Sequence, residues 1–195
     1  MTDITNILYW IATGLLIPII ALLLFSFIKS LLLLGGFFGM FINRLKYKKT
    51  EKDILDIIHT DLAKINELKA LKGNKLFSTH LKRISAAELN EVVSEKALND
   101  YEISAEKELS SSKSLARLGP ILGLMGTLIP MGPALVGLAE GDIASMAQNM
   151  QVAFSTTVVG LFAGGVGYVT QLVKQRWFIE DLNNLEFIHK LTLKN

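Results

Sequence analysis

The sequence predicts an all-α integral membrane protein: three transmembrane helices with long cytoplasmic helical extensions. Two uncharged apolar segments, LGPILGLMGTLIPMGPALVGL and MAQNMQVAFSTTVVGLFAGGVGYVTQL, stand close together between Leu118 and Leu172. A third apolar run opens the chain, from Ile4 to Ile42. Charged residues are segregated, nearly all between Arg44 and Lys113 or after Val173. Each apolar segment offers the ~20 residues that a helix needs to cross ~30 Å of hydrocarbon. Half of the 195 residues are hydrophobic, which fits a small membrane protein.

The first region, residues 1–42, carries one span at about residues 7–28. Asp3 precedes it, no Lys or Arg does, and the run is too long for a signal peptide. Lys29 and Ser30 divide the run, and Lys29 can snorkel to the headgroups only from the end of a span. The remainder, SLLLLGGFFGMFI, is too short to cross again and is expected to continue the helix at the inner interface.

Residues 43–117 form a helical segment. Glu51–Leu71 carries Leu55, Ile58, Leu62, Ile65, Leu68 and Leu71 at three- and four-residue steps, the mark of an amphipathic helix, and Gly73-Asn74 stops it. A second stretch, from near Ser78, carries Leu81, Ile84, Leu89, Val92, Val93 and Leu98 and has no proline before Pro120 to keep it from running into the second span. The C-terminal helix, residues 173–195, repeats the pattern with Phe178, Leu182, Leu185 and Ile188. These stripes read as helix packing within a bundle or the walls of an oligomer rather than an independent catalytic domain.

Charge sets the topology. Arg44, Lys46, Lys48 and Lys49 follow the first span, Arg117 precedes the second, and Lys174 and Arg176 follow the third. The loop at residues 139–145 holds Glu140 and Asp142 and no positive residue, so both acids read as solvated orientation signals. The positive-inside rule then places the N-terminus and this loop outside, and residues 43–117 and the C-terminus in the cytoplasm. The expected location is the cell's inner membrane.

The hairpin, residues 118–172 with spans at about 118–138 and 146–172, carries the chemistry. Gly119, Gly123 and Thr127 stand four apart on one helix face, a spacing that lets a neighbouring backbone approach closely. Pro130 removes the hydrogen bond to the carbonyl of Gly126, and Pro133 the one to Ile129, beside Thr127. Such carbonyls must find water, a hydroxyl or another helix. In the third span Ser155, Thr156 and Thr157 form a hydroxyl cluster, with Gly160 and Gly164 on the face of Thr156. Thr157 lies about 100° round from Thr156, so one hydroxyl can bond a backbone carbonyl while the other faces a neighbour or cavity. A hydroxyl can orient water or hold an acid's proton without titrating. Neither span contains a carboxylate, so any titrating group on an ion path must come from another chain.

Several classes are excluded or unsupported. Cysteine is absent, which removes disulfides and thiolate metal sites. His59, His80 and His189 lack metal-ligand spacing and read as solvated helix residues. The net charge of +2 and the absence of a basic, aromatic-interleaved stripe argue against nucleic acid. No paired acid, histidine set or nucleophile elbow points to an enzyme, and no cofactor is called for.

At the hairpin the chain resembles the MotA/TolQ/ExbB proton channel family. GPILGLMGTLIPM resembles that family's APxLGLLGTVWGI pattern in the second span, AFSTTVVGLFA its ALIATAIGLFA pattern in the third, and FIKS the inner end of the ExbB first span. The resemblance puts the family's two pore threonines on Thr127 and Thr157, with Thr156 and Ser155 beside them. Val152 stands where the ExbB-type third span has a glutamate, and Val166 where it has a proline. The resemblance implies an ExbB/TolQ-like ring, a homopentamer, around two copies of a single-span partner. That partner, similar to ExbD, TolR or MotB, bears an intramembrane aspartate, and the complex would be a proton- or other ion-driven rotary motor. The alternative is a structural membrane scaffold, in which the glycine and threonine face serves oligomer packing alone.

Overall fold

The computed structural model of the chain describes residues 2–57, 75–86 and 91–194, all but a few of them helical. The sequence-based expectations that fall on Ile58–Leu71, Gly73-Asn74, Leu89 and His59 lie outside the described residues. Among the described residues five helices follow in order: α1 (Thr2–Gly14), α2 (Leu16–Ile57), α3 (Lys75–Ala86), α4 (Glu91–Glu140) and α5 (Ile143–Lys194). Three helical stretches among the described residues are long and apolar enough to cross a membrane, Asn6–Lys46, Glu91–Glu140 and Ile143–Leu191.

The first stretch is interrupted at Leu15, inside the span expected at residues 7–28. Pro18 has no N–H to offer the carbonyl of Gly14, so the regular ladder lapses there. The backbone N–H of Leu15 still donates to the carbonyls of Ile11 and Ala12 (3.1 and 3.2 Å), and that of Ile19 to Leu15 (3.1 Å). Beyond it α2 continues unbroken through SLLLLGGFFGMFI and past Arg44. Helix α3 begins at Lys75, three residues before the Ser78 start read from the sequence. Helix α4 runs from Glu91 through Pro120, Pro130 and Pro133 without leaving the helical state.

Helices α4 and α5 are joined by only Gly141 and Asp142, tighter than the loop expected at residues 139–145. Gly141 has φ of 77°, and its N–H donates to Leu138 O (3.2 Å) while that of Asp142 donates to Gly137 O (2.8 Å). These are the two bonds of a Schellman C-cap, which needs a left-handed residue that glycine adopts without steric cost. The Asp142 carboxylate then accepts from the Ser145 N–H at 3.0 Å, capping the start of α5. Asp142 is thus a helix cap, not merely a solvated charge.

The described residues gather into two compact units, Met1–Leu34 with Ser111–Gln171, and Gly35–Ser110 with Leu172–Asn195. In the second, Phe77, Leu81 and Ile84 of α3, Ala97, Tyr101, Ala105 and Leu109 of α4, and Phe178, Leu185 and Ile188 of α5 form a buried apolar core. Spacings of three, four and seven residues put each set on one helix face. Within this unit Phe37 stacks on Trp177 at 5.7 Å and 8°. His80 is buried there, contrary to the solvated position read from the sequence. Its Nδ1–H donates to the carbonyl of Ala97 at 3.1 Å, and its ring meets Tyr101 edge-on. Burial holds its pKa below the usual imidazole value, so the neutral ring that makes this bond is favoured.

The same unit holds a buried ion pair. Arg44 of α2 lies 2.8 Å from Asp181 of α5 and 3.1 Å from Glu180, its guanidinium also sits over the Trp177 ring, and Tyr101 of α4 donates its hydroxyl to Asp181 at 3.2 Å. Burial, and then the Asp181 charge, push the Tyr101 pKa up, so the phenol keeps the proton it donates. Asp181 is 1 % exposed, whereas the Glu180 side chain is 44 % exposed. Removing one member of a buried pair strands the other charge at a cost of about 3 kcal/mol, against less than about 1 kcal/mol for an exposed pair. Asp181→Ala is therefore expected to destabilise the purified chain by about 3 kcal/mol in chemical denaturation, and Glu180→Ala by less than about 1 kcal/mol.

Candidate functional site: the α4–α5 seam and its hydroxyls

Helices α4 and α5 run antiparallel from the Gly141 turn, and glycines set how near they come. A Cβ on Gly119 would stand 2.6 Å from the backbone N of Gly164 and 2.7 Å from the carbonyl O of Gly160. A Cβ on Gly160 would stand 2.6 Å from the carbonyl O of Gly119 and 2.7 Å from Gly123 Cα. A Cβ on Gly164 would meet the Pro120 ring at 2.6 Å, and one on Gly126 would meet the Thr156 side chain at 2.6 Å. The seam therefore pairs Gly119 with Gly164, Gly123 with Gly160 and Gly126 with Thr156. Each step of about four residues along α4 is matched by about four back along α5, as an antiparallel pair requires. Backbones this close gain dispersion along their length, which is what holds helices together in lipid. Pro130 and Ala134 are buried beside the seam, and Pro133 is half-buried.

The four hydroxyls take different places around this seam. Thr156 is in it, 7 % exposed, and its Oγ1 donates to the carbonyls of Val152 and Ala153 at 3.0 and 2.9 Å. Thr127 and Thr157 are half-buried, and Ser155 is exposed. Thr127 donates to Leu124 O at 2.7 Å, Thr157 to Ala153 O at 3.2 Å and Ser155 to Gln151 O at 2.8 Å. All four protons are thus committed to their own helices, whereas the sequence allowed one of Thr156 and Thr157 to bond a backbone carbonyl and the other to face a neighbour or cavity. Each oxygen keeps lone-pair capacity as an acceptor.

Thr127 and Thr157 stand at one level and on one side. Each follows a seam residue, Gly126 or Thr156, and so is turned about 100° from it. In an antiparallel pair the two turns carry both residues to the same side of the seam. Helix α2 lies on the other side, where Phe27 touches Phe162 (ring centroids 5.6 Å) and Leu23 and Leu24 border the same groove as Ser155. The fold therefore brings Thr127 and Thr157 onto one face of the hairpin and sends Ser155 to the other.

The model of the MotA/TolQ/ExbB proton channel family matches residues 63–180, well over half of the chain. The chain belongs to this family. No curated protein and no solved structure gives a significant match. Membership in this channel family, together with three membrane-length apolar helices, makes the chain a multi-pass membrane protein. The family match takes in the hairpin, with Thr127, Thr156 and Thr157, and stops short of α1 and α2.

Some residues of the structure were not singled out by sequence reasoning. Asp181 falls three residues after Phe178 and four before Leu185, on the apolar stripe itself, and a lone acid on such a stripe signals a buried partner. Gln148 and Gln151 share a face with Ser155, as their spacing of three and four residues already implies. The pairing of Gly126 with Thr156 had no such signal, because it depends on the register between two helices.

Since a Cβ on Gly119 meets backbone atoms, Gly119→Ala is expected to cost about 1–3 kcal/mol by overpacking, despite alanine's better helix propensity. A Cβ on Gly165 meets nothing within 4 Å, so Gly165→Ala is expected to leave the fold of the single chain at least as stable. Denaturant titration of the two variants, reconstituted in mild detergent, measures the difference.

Proposed function

We propose that this chain is the ring-forming subunit of an ion-driven rotary motor in the inner membrane, with the proton as the leading candidate ion. Five copies surround two copies of a single-span partner that carries an intramembrane aspartate, as ExbD, TolR and MotB do. The N-terminus and the Gly141 turn face outward, and the charged helical extensions and C-terminus lie in the cytoplasm. The observation that carries this reading is the placement of Thr127 and Thr157. The positions that resemble the family's pore threonines turn to one face of the hairpin, at one level, away from α2.

The state of their hydroxyls gives this face a direction of action. With each proton donated within its own helix, the two oxygens present acceptors to the pore. A protonated aspartic acid can donate to them, whereas an ionised carboxylate meets acceptor facing acceptor. Protonation from one side favours docking of the partner's acid on the threonine-lined wall, and deprotonation to the other side releases it. One charge crossing the field supplies about 2.3 kcal/mol per 100 mV to bias such a step. The glycine seam keeps the wall rigid while the partner moves against it.

The scaffold alternative takes support from the same bonds, because hydroxyls satisfied within their own helix need no pore. Ion flux separates the two. Native mass of the detergent-extracted complex, alone and co-expressed with its single-span partner, is expected to fit five copies that gain two partner chains; a monomer or dimer indifferent to the partner would leave the threonines without a pore to line. In the assembled complex Thr157→Val is expected to abolish ion-driven work and ion flux into liposomes while leaving the native mass unchanged. Full flux in that variant would remove Thr157 from the path.

A further inference from the structure

On the side of the hairpin away from Thr127 and Thr157, a groove of about 450 Å³ runs between α2 and α5. Ile20, Leu23 and Leu24 form its α2 wall, and on the α5 side Gln148, Gln151 and Ser155 line it together with Val152, Thr156 and Val159. Gln148, Gln151 and Ser155 climb one face of α5 in steps of three and four, from near the Gly141 turn toward mid-span. At 1.5 Å per residue, Ser155 stands about 20 Å along the helix from Asp142. Both glutamines are exposed, and among the described residues neither carboxamide has a partner in the chain. Ser155 spends its proton on the carbonyl of Gln151 and keeps its lone pairs.

Lipid tails cannot satisfy this wall. An amide moved from water to hydrocarbon without a hydrogen bond loses about 4–8 kcal/mol on the cyclohexane scale. Two carboxamides and a hydroxyl in register, rising from the polar end of the hairpin, need a hydrogen-bonding occupant. Water occupies about 30 Å³ per molecule in the liquid, so the groove has room for on the order of ten. Every group on the wall is neutral, so it can share a cation's hydration without trapping it as a carboxylate would.

We propose that this groove is a water-filled vestibule on the outer side, by which the coupled cation, in hydrated form, reaches the level of the hydroxyl run. There Ser155, Thr156 and Thr157, at 100° steps, carry hydroxyls around α5 from the groove face, through the seam, to the face of Thr157. The proposal rests on the ion-motor reading for its cation and on the proposed topology for its outward opening. The hydration of the groove stands on the side chains alone.

The absence of cysteine from the chain makes the test direct. Gln148→Cys, Gln151→Cys and Ser155→Cys, each in the full chain assembled with its partner in native membranes, are exposed to a membrane-impermeant, positively charged thiol reagent from the hairpin side. Glu140→Cys at the turn is the reference for free access, and Phe154→Cys and Val158→Cys report the apolar surface. Only thiolate reacts, and apolar surroundings that raise a thiol's pKa by two units slow labelling roughly a hundredfold. The vestibule predicts that all three groove positions label within roughly tenfold of Glu140→Cys, and Phe154→Cys and Val158→Cys at least a hundredfold more slowly. Groove cysteines as slow as Phe154→Cys would mean that lipid or a neighbouring copy fills the space, and would overturn the proposal. Should Ser155→Cys fail to assemble, Gln148→Cys and Gln151→Cys decide the question. Labelling needs no ion flux, so its failure is distinct from failure of the motor reading, which Thr157→Val addresses.

Discussion

The backbones of α4 and α5 lie so close that no side chain fits between them at Gly119, Gly160 or Gly164. The architecture of the hairpin depends on that approach. Water drives no apolar face inward within a bilayer, so two helices hold together by dispersion summed over many close atom pairs, and glycine brings the most atoms within range. The tight approach also sets register. With Gly119 on Gly164 and Gly123 on Gly160, a slide by one residue would drive a side chain into a backbone. The two-residue turn at Gly141 and Asp142, locked by a C-cap on one helix and an N-cap on the next, leaves little slack for another pairing.

Register then decides the chemistry. Gly126 meets Thr156, so the residues that follow them, Thr127 and Thr157, emerge at one level on one side of the hairpin. Their hydroxyl protons are held by carbonyls of the preceding turn, so the face they form accepts hydrogen bonds rather than donating them. That polarity suits a protonated acid or a hydrated cation and disfavours a bare carboxylate. A pair of spans without a carboxylate of its own can still discriminate between the protonation states of a group brought to it.

In the second unit the packing follows other rules. The second unit has an apolar core from α3, α4 and α5, and beside it Arg44, Asp181 and Tyr101 join α2, α5 and α4. A buried ion pair adds little net stability over a well-packed apolar replacement, but it tolerates only one geometry. Glycine seam and ion pair are thus alternative means to the same end. One specifies register by excluding atoms, the other by leaving a charge unpaired if the helices shift.

Much of this protein was legible in its sequence. The long uncharged runs declare membrane helices whatever their partners, because the cost of ionisable groups in hydrocarbon acts on each segment locally. The GxxxG-like spacing of Gly119 and Gly123, the Gly160–Gly164 pair and the hydroxyl cluster marked which helices pack and which face is polar. The motifs around Thr127 and Thr157 marked the family. The tertiary structure alone decided which glycine meets which, that Thr156 enters the seam while Thr157 flanks it, that Asp181 pairs with Arg44 and Tyr101, and that Gln148 and Gln151 line a groove against α2. These depend on the rotation and register of one helix against another. A periodic pattern gives the face a residue shares with its neighbours on one helix; what that face meets is settled only when two backbones come within van der Waals reach.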